Sequence, residues 1–313
     1  SFLSGTIAGT VSILYLHAAR PGKSTTDLTL FTLVRAIDVL FHLNDTLVFV
    51  FACSIIMYAY FYSPEKLPPS YNSWINKMST VDPRIKVMFK KLHDKKIQFG
   101  QPSSDRSLED VSFDLGLDPK MGSIEENDAL PCQVFHSNIS GSCKVHIAYR
   151  WLKGFKSSIA IYVPLSLMLA LRDPTTKSFK RALTSAIRSS AFLATFISNL
   201  WLGVCATRSI IGPKLFPNVN QNTYDGMIGP TIGSFLSGWS ILIETPKRRG
   251  ELALFVVPKA LTVVLPKSIQ QHRIIETVIF GLSSGVIIRS LIDGKGRKVR
   301  GIFGKTLHWI MNA

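Results

Sequence analysis

Residues 28–37 read LTLFTLVRAI and residues 252–261 read LALFVVPKAL. Leu28, Leu30, Phe31, Arg35 and Ala36 thus stand against Leu252, Leu254, Phe255, Lys259 and Ala260 at the same spacing. In each copy the Phe and the cation are four residues apart, which places them on one face of a helix. The match extends outward in both directions. Ser12-Ile13-Leu14 precedes the first copy as Ser240-Ile241-Leu242 precedes the second. Thr46, Phe49 and Ile56 follow the first as Thr277, Phe280 and Ile287 follow the second. Each copy is an apolar span, a short cation-bearing helix and a second span, an organisation common among duplicated membrane folds. The second copy has a leader, Gly226 to Gly233, with almost no counterpart in the first, so residues upstream of Ser1 are expected.

The rest of the sequence suits a membrane. Of 313 residues, 36 are Lys or Arg and 20 are Asp or Glu, giving a formal charge of +16. Only 18% are charged, though, and 46% are hydrophobic. A soluble nucleic-acid binder would carry a charged fraction near 25% or above. Nineteen Phe, eight Tyr and five Trp exclude a disordered chain, and four Cys exclude a disulfide-dense scaffold. Residues 100–130 hold eight acids against Arg106 and Lys120, a net −6, so the remainder carries +22 (16 plus 6). Those cations lie in runs beside apolar segments, where they anchor helix ends to anionic headgroups.

Five stretches have the roughly 17–25 residues that a spanning helix needs: Ser1 to Ala18, Asp45 to Tyr62, Ser189 to Thr207, Met227 to Ile243, and Ile274 to Ile292. Tyr58, Tyr60, Tyr62, Trp201 and Trp239 stand near their ends, as interface aromatics do. Leu28 to Phe41 and Leu252 to Leu265 are shorter and are expected to be tilted spans or interface helices. The expected organisation is a first repeat over 1–62, a polar and partly acidic water-facing insertion over 63–130, and a Cys/His segment with a basic amphipathic helix over 131–171. A central span (172–212), a second repeat (224–293) and a basic amphipathic tail (294–313) follow. Within the insertion, Trp74 to Lys96 has helical periodicity, and the acidic half is expected to be loop or partly disordered. Val145 to Val163 alternates Ile147, Trp151, Leu152, Phe155, Ile159 and Tyr162 with Arg150, Lys153 and Lys156, the pattern of a helix lying on a membrane surface. The fold class predicted is all-α, a multi-pass helical membrane protein with two similar helical units.

Gly5 with Gly9, Gly229 with Gly233, and Gly281 with Gly285 repeat every four residues, which lets helix backbones approach closely. Ions within or beside apolar helices cost about 2.5 kcal/mol or more unless partnered. Arg35 and Asp38 are spaced for a local pair, whereas Lys259 has no acid nearby on its own helix. Arg188 lies in an apolar helix, and Arg289 near a span end is placed to snorkel. Arg35, Asp38, Lys259, Lys247, Arg248 and Arg249 are the candidates for binding anionic lipid or a partner subunit.

Cys132-x3-His136-x6-Cys143-x2-His146 has metal-ligand residue types but not a standard zinc-finger spacing. Free structural thiols rank first here, a Cys132–Cys143 disulfide second and zinc last. No cofactor is expected beyond bound phospholipid. Cys53 and Cys205, inside spans, read as buried small residues. His42 and Asp45 read as a helix cap rather than an acid–base pair. Asn44 and Asn138 head glycosylation sequons, which say nothing without a secretory address. Nucleophile-elbow, phosphate-loop, dinucleotide and H-E-x-x-H motifs are absent, and no enzyme activity is expected.

Three stretches together resemble a known family. They are Pro131-Cys132 with His136 and Cys143 leading into WLKGF (151–155) and IYVPL (161–165); AIRSSAFL (186–193) leading into NLWLGVC (199–205); and FLSGWSILIE (235–244) followed by PKRRGELAL (246–254). The chain is similar here to the transmembrane protein 135 family, in a fungal form. That family is distantly similar to the mitochondrial inner-membrane translocase subunits of the seventeen, twenty-two and twenty-three type. The resemblance covers most of the chain and is strongest over 131–262. It implies a multi-pass protein of the mitochondrial inner membrane, or alternatively the peroxisomal membrane, that organises membranes or handles lipid or protein without a catalytic reaction. Its family's cysteine-rich segment retains only Cys132 and Cys143 here. By the same resemblance, Gly229, Gly233 and Gly238 with Lys247, Arg248 and Arg249 sit on the best-marked stretch. Membrane lipids and other membrane subunits are the partners expected, and nucleic acid is not. A solute or lipid transporter working between the repeats is the alternative.

Overall fold

A computed structural model describes residues 1–22, 24–79, 81–171, 174–270, 272–293 and 299–312. Every regular element in them is helical. The first is α1 (Phe2–Ala19), whose N-cap Ser1 accepts from the Ser4 amide. It is followed by α2 (Thr26–Phe41), which ends at His42 in a left-handed conformation (φ 46°) that turns the chain into α3 (Asp45–Tyr62). His42 is therefore a cap: its amide donates to the Asp38 carbonyl at 3.0 Å.

The insertion then forms α4 (Pro69–Ser79), α5 (Pro83–His93) and α6 (Ser107–Asp114). Pro83 with N-cap Asp82 sets the start of α5. The acidic half is mostly the loop expected, with α6 and one 3-10 turn (Pro119–Gly122) set into it. Leu108, Val111, Ile124 and Leu130 are buried, and Asn127 Nδ2 donates to the Lys120 and Ser123 carbonyls at 2.8 and 2.7 Å. A few apolar anchors hold it although its charge pattern is that of a solvated loop.

Next come the single turn α7 (Cys132–Phe135), α8 (Cys143–Ala170) and α9 (Thr176–Ala206). A π-helical turn at Thr207–Ile211 leads into α10 (Gly212–Leu215). After α11 (Gln221–Thr223), a second π turn at Tyr224–Ile228 opens α12 (Gly229–Gly238). The chain finishes with α13 (Pro246–Val264), α14 (Lys267–Gln270), α15 (Arg273–Ile292) and α16 (Gly301–Asn312). Among the described residues, five helical stretches are long and apolar enough to cross a membrane: Phe2–Ala19, Asp45–Tyr62, Thr176–Leu215, Gln221–Ile243 and Arg273–Ile292. Each overlaps one of the five expected from sequence, Thr176–Leu215 running well beyond both ends of Ser189 to Thr207, and together they are consistent with a multi-pass membrane protein.

The chain forms two compact units. One joins Ser1–Ile56 to Thr245–Ala313, and the other is Met57–Glu244. In the first, α1 packs along α15, and α2 packs on both α13 and α15. Gly5 and Gly9 bring α1 to α15: a Cβ on Gly5 would lie 3.0 Å from the Gly285 Cα, and one on Gly9 3.3 Å from the Gly281 Cα. The buried carboxylate of Glu276 accepts from Thr25 Oγ1 (2.7 Å) and Thr29 Oγ1 (3.2 Å) and meets His17 Nε2 at 3.1 Å. Ala36, Val39, Ile287, Leu291 and Val299 form the adjoining core, with Phe303 and Leu307 of α16 against it.

In the second unit, α8 and α9 pack side by side and α12 covers another face of α9. The buried stripe of α8 is His146, Arg150, Gly154 and Ser158, each four residues on from the last. Leu152, Ile161, Leu165 and Met168 are exposed. Arg150 was expected on the water face of a surface helix, and it points inward instead. Gly154 allows this, since its missing Cβ would stand 3.3 Å from the Ala194 Cα. An edge-to-face aromatic chain runs through the core from Phe61 to Phe89 (5.3 Å), Phe135 (5.8 Å) and Trp201 (5.6 Å). Each such buried ring contributes about 1.5–3 kcal/mol by leaving water.

Candidate functional site

The polar centre of the second unit is built where the aromatic chain ends. Pro131 starts α7, so Cys132 and His136 stand at the two ends of one helical turn. Ser137 and Asn138 then both adopt left-handed backbone (φ 56° and 55°), which reverses the chain. Asn138 is held there by donating to the Leu115 carbonyl at 2.9 Å and accepting from Gln133 Nε2 at 3.1 Å. The reversal brings Cys143, the first residue of α8, back beside α7. The ligand atoms of Cys132, His136 and Cys143 consequently lie within 4.8 Å of one another.

A fourth residue joins them from α9. Cys205 Sγ is 3.5 Å from His136 Nε2 and near enough to Cys143 to act on its thiol. His136 Nδ1 faces the Ser140 carbonyl at 2.8 Å, which makes Nδ1 the protonated nitrogen and leaves the Nε2 lone pair aimed at the sulfurs. His136 is fully buried, and burial pushes its pKa down, helped by the nearby Arg208 and Arg150 charges. Burial likewise pushes the Cys143 thiol up. All four cysteines of the chain are free thiols.

His146 stacks on His136 with ring centroids 4.1 Å apart, and neither of its ring nitrogens has a hydrogen-bond partner among the described residues. Burial first, then the Arg150 charge, lowers its pKa to about 3, so it packs as a neutral ring. Two arginines flank the cluster. Arg150 Nη1 donates to the Ser79 carbonyl at 2.7 Å, and its guanidinium lies 5.3 Å from the Trp201 ring centre; burial lowers its pKa to about 10. Arg208 Nη2 donates to the Leu130 carbonyl (2.7 Å) and to Asp225 Oδ2 (3.0 Å). Arg208 and Asp225 each sit in one of the two π turns, where the widened backbone turns these side chains toward each other. Chemically, three sulfurs and one imidazole form a soft donor set.

Cys132, His136 and Cys143 are thus brought together, and His146 lies beside them without joining the donor atoms. Sequence reading missed Cys205, Arg208 and Asp225. Cys205 had no signal beyond its residue type, because 62 residues of chain (205 less 143) separate it from Cys143.

The remaining candidates lie elsewhere. Arg35 and Asp38 are buried in the first unit, but the local pair expected between them gives way to partners from the tail. Arg35 Nη1 donates to the Arg300 carbonyl at 2.9 Å, and its guanidinium lies over Phe31 and Phe303. Arg300 bonds both Asp38 and Asp45, the latter at 2.9 Å. Lys259 Nζ meets Asp27 Oδ2 at 2.8 Å, an acid from α2 that the sequence did not point to. Lys247 is exposed, and Arg248 and Arg249 are half-buried, all three at the start of α13. Arg289 pairs with Asp293 at an exposed span end. Gly281 and Gly285 face Thr10 and Thr6 of α1; Gly233 lies against the Leu200 carbonyl, and Gly229 is near Val204. Residues 294–298 of the basic tail fall outside the described residues. Set beside known proteins, the chain matches no family model, and no curated protein or solved structure matches it significantly.

Proposed function

We propose that this chain is a non-enzymatic, multi-pass organelle membrane protein that works as a translocase-like scaffold or lipid/protein-handling subunit. The observation that carries the reading is how its helix-borne ions are used. Asp38 bonds Arg300, Asp27 bonds Lys259, Glu276 is held by His17, Thr25 and Thr29, and Asp225 bonds Arg208. Charges committed to one another hold helices together, whereas a transport path leaves ions facing a wet cavity. This favours a scaffold over a transporter.

The duplication is part of the proposal. Arg35 and Lys259 are equivalent cations, and Asp27 and Glu251 are equivalent acids at the same offset of 224 residues (251 less 27). Lys259 pairs with Asp27, and Arg35 is in electrostatic reach of Glu251. The matched placing of cation and acid on α2 and α13 supports two related helical repeats. The exposed stripes Leu3, Ile7, Val11 and Leu14 of α1 and Leu152, Ile161 and Met168 of α8 supply apolar surface for lipid or a neighbouring subunit. The resemblance to the transmembrane protein 135 family supports the mitochondrial inner membrane, or the peroxisomal membrane, as the site of action.

The test joins organelle and vesicle. Tagged protein should resist carbonate extraction from mitochondria or peroxisomes and migrate on native gels in a complex larger than one chain. In proteoliposomes it should leave small-solute flux at the background rate. Solute-specific flux without any complex would establish the transporter. Absence of a complex together with no movement of lipid or peptide would sink the scaffold.

A further inference from the structure

We infer that Cys132, His136, Cys143 and Cys205 form a structural zinc site that fastens α7 and the start of α8 to α9. The geometry points to this independently of the proposed scaffold role. With zinc–sulfur bonds of about 2.3 Å and zinc–nitrogen bonds of about 2.0 Å, a tetrahedron has sulfur–nitrogen edges of about 3.5 Å and sulfur–sulfur edges of about 3.8 Å. Cys205 Sγ stands 3.5 Å from His136 Nε2, on such an edge. Cys132, His136 and Cys143 are already gathered within 4.8 Å, and Cys205, outside that mutual distance, reaches the group through His136 and acts electrostatically on the Cys143 thiol.

The surroundings fit the same ion. His136 presents Nε2 because Nδ1 is bonded to the Ser140 carbonyl, the outer-shell contact that fixes a zinc-binding imidazole. Binding one Zn²⁺ to three thiols and one neutral imidazole releases three protons and leaves a site of net charge −1. Arg208 and Arg150 both act on His136, so the site lies in a positive potential that offsets this charge. Four protein ligands leave no open position, which makes the site structural rather than hydrolytic. The site also accounts for the placement of Cys205. One disulfide between Cys132 and Cys143 would use two of the sulfurs and leave Cys205 and His136 Nε2 without a role.

The experiment is metal analysis of the full chain, expressed with zinc in the medium and purified in detergent without chelator. Wild-type protein should carry about one zinc per chain, released by a thiol-blocking mercurial. Cys205→Ser and His136→Ala should fall at least about tenfold in zinc content, the scale of loss expected when a ligand is removed. Cys53→Ser, which changes a buried thiol of α3 outside the cluster, should keep wild-type zinc. Cobalt added to the metal-free protein should give the visible bands of a tetrahedral thiolate complex. The wild-type result decides the matter even where a variant fails to fold. Wild-type protein without stoichiometric metal, a Cys132–Cys143 disulfide in native membranes, or iron or copper in place of zinc would each overturn the assignment.

Discussion

Arg300 shows how much one side chain can hold. Its guanidinium bonds Asp38, a nearly fully buried carboxylate, and also Asp45, while its carbonyl receives Arg35. Removing it strands Asp38 without its cation. Arg300→Ala is therefore expected to lower stability by about 3 kcal/mol, with Arg300→Lys recovering part of the loss, as read by thermal unfolding in detergent. None of this was legible in the sequence. The pairs span 262 and 255 residues, so local spacing favoured the adjacent Arg35 and Asp38 instead. Asp82 is a local case: it caps α5 just before Pro83, at a break that the periodicity over Trp74 to Lys96 runs straight across. It accepts from the Arg84 amide, and Arg84 Nε and Nη2 bond it at 3.1 and 2.8 Å, which holds its carboxyl below the ordinary value of 3.8. A depressed carboxyl pKa adds stability above its unfolded value and loses it as pH falls through the folded one. Asp82→Ala should accordingly cost about 1 kcal/mol at pH 7, a difference that shrinks as the pH is taken down through the acid range in paired unfolding curves.

Among the helices, contact is governed by what is missing from them. Gly203 of α9 and Gly233 of α12 lie so close that a Cβ on Gly203 would stand 2.5 Å from the Gly233 Cα. Backbone occupies that space and cannot rotate aside. Gly203→Val should destabilise by about 1–3 kcal/mol or more. Gly141→Ala, where a Cβ meets nothing within 4 Å, should be close to neutral in the same assay. The glycine spacing was legible because small residues every four positions mark a helix face whatever that face meets. The inward face of α8 was not. Its Arg150 reads, with Lys153 and Lys156, as part of the wet side of an amphipathic helix, because hydropathy ranks side chains by their affinity for water. In a lipid setting the polar stripe turns toward protein partners and the apolar stripe turns outward. Within the acidic half of the insertion only α6 escapes the sequence, being too short for periodicity to register.

At the scale of the molecule, the apolar surface left over is largest where the spans and α8 present it. A photoactivatable phospholipid should label positions 152, 161 and 168 of α8 more strongly than positions 146, 150 and 154 on its opposite face, as read by peptide mapping. Equal labelling of both faces would argue against a lipid contact there. The all-helical architecture and its five apolar stretches were legible from length and hydropathy alone. The four-residue donor set was not, since it is assembled from α7, α8 and α9 and only the folded chain brings Cys205 to the other three.

The ion pair between the two π turns bears on how the chain first enters its membrane. Thr176–Leu215 carries Arg208 and Gln221–Ile243 carries Asp225. Alone, each would leave an unpartnered ion near one end of its stretch, at a cost below the about 2.5–3.5 kcal/mol of an ion at a helix centre. Together they are neutral at that point. During biogenesis the two stretches should accordingly partition as one helical hairpin, the first waiting at the insertion machinery until the second has been synthesised. A chain truncated after Leu215 should integrate poorly, and one extended through Ile243 should integrate fully, with Arg208→Leu relieving the dependence of the first stretch on the second.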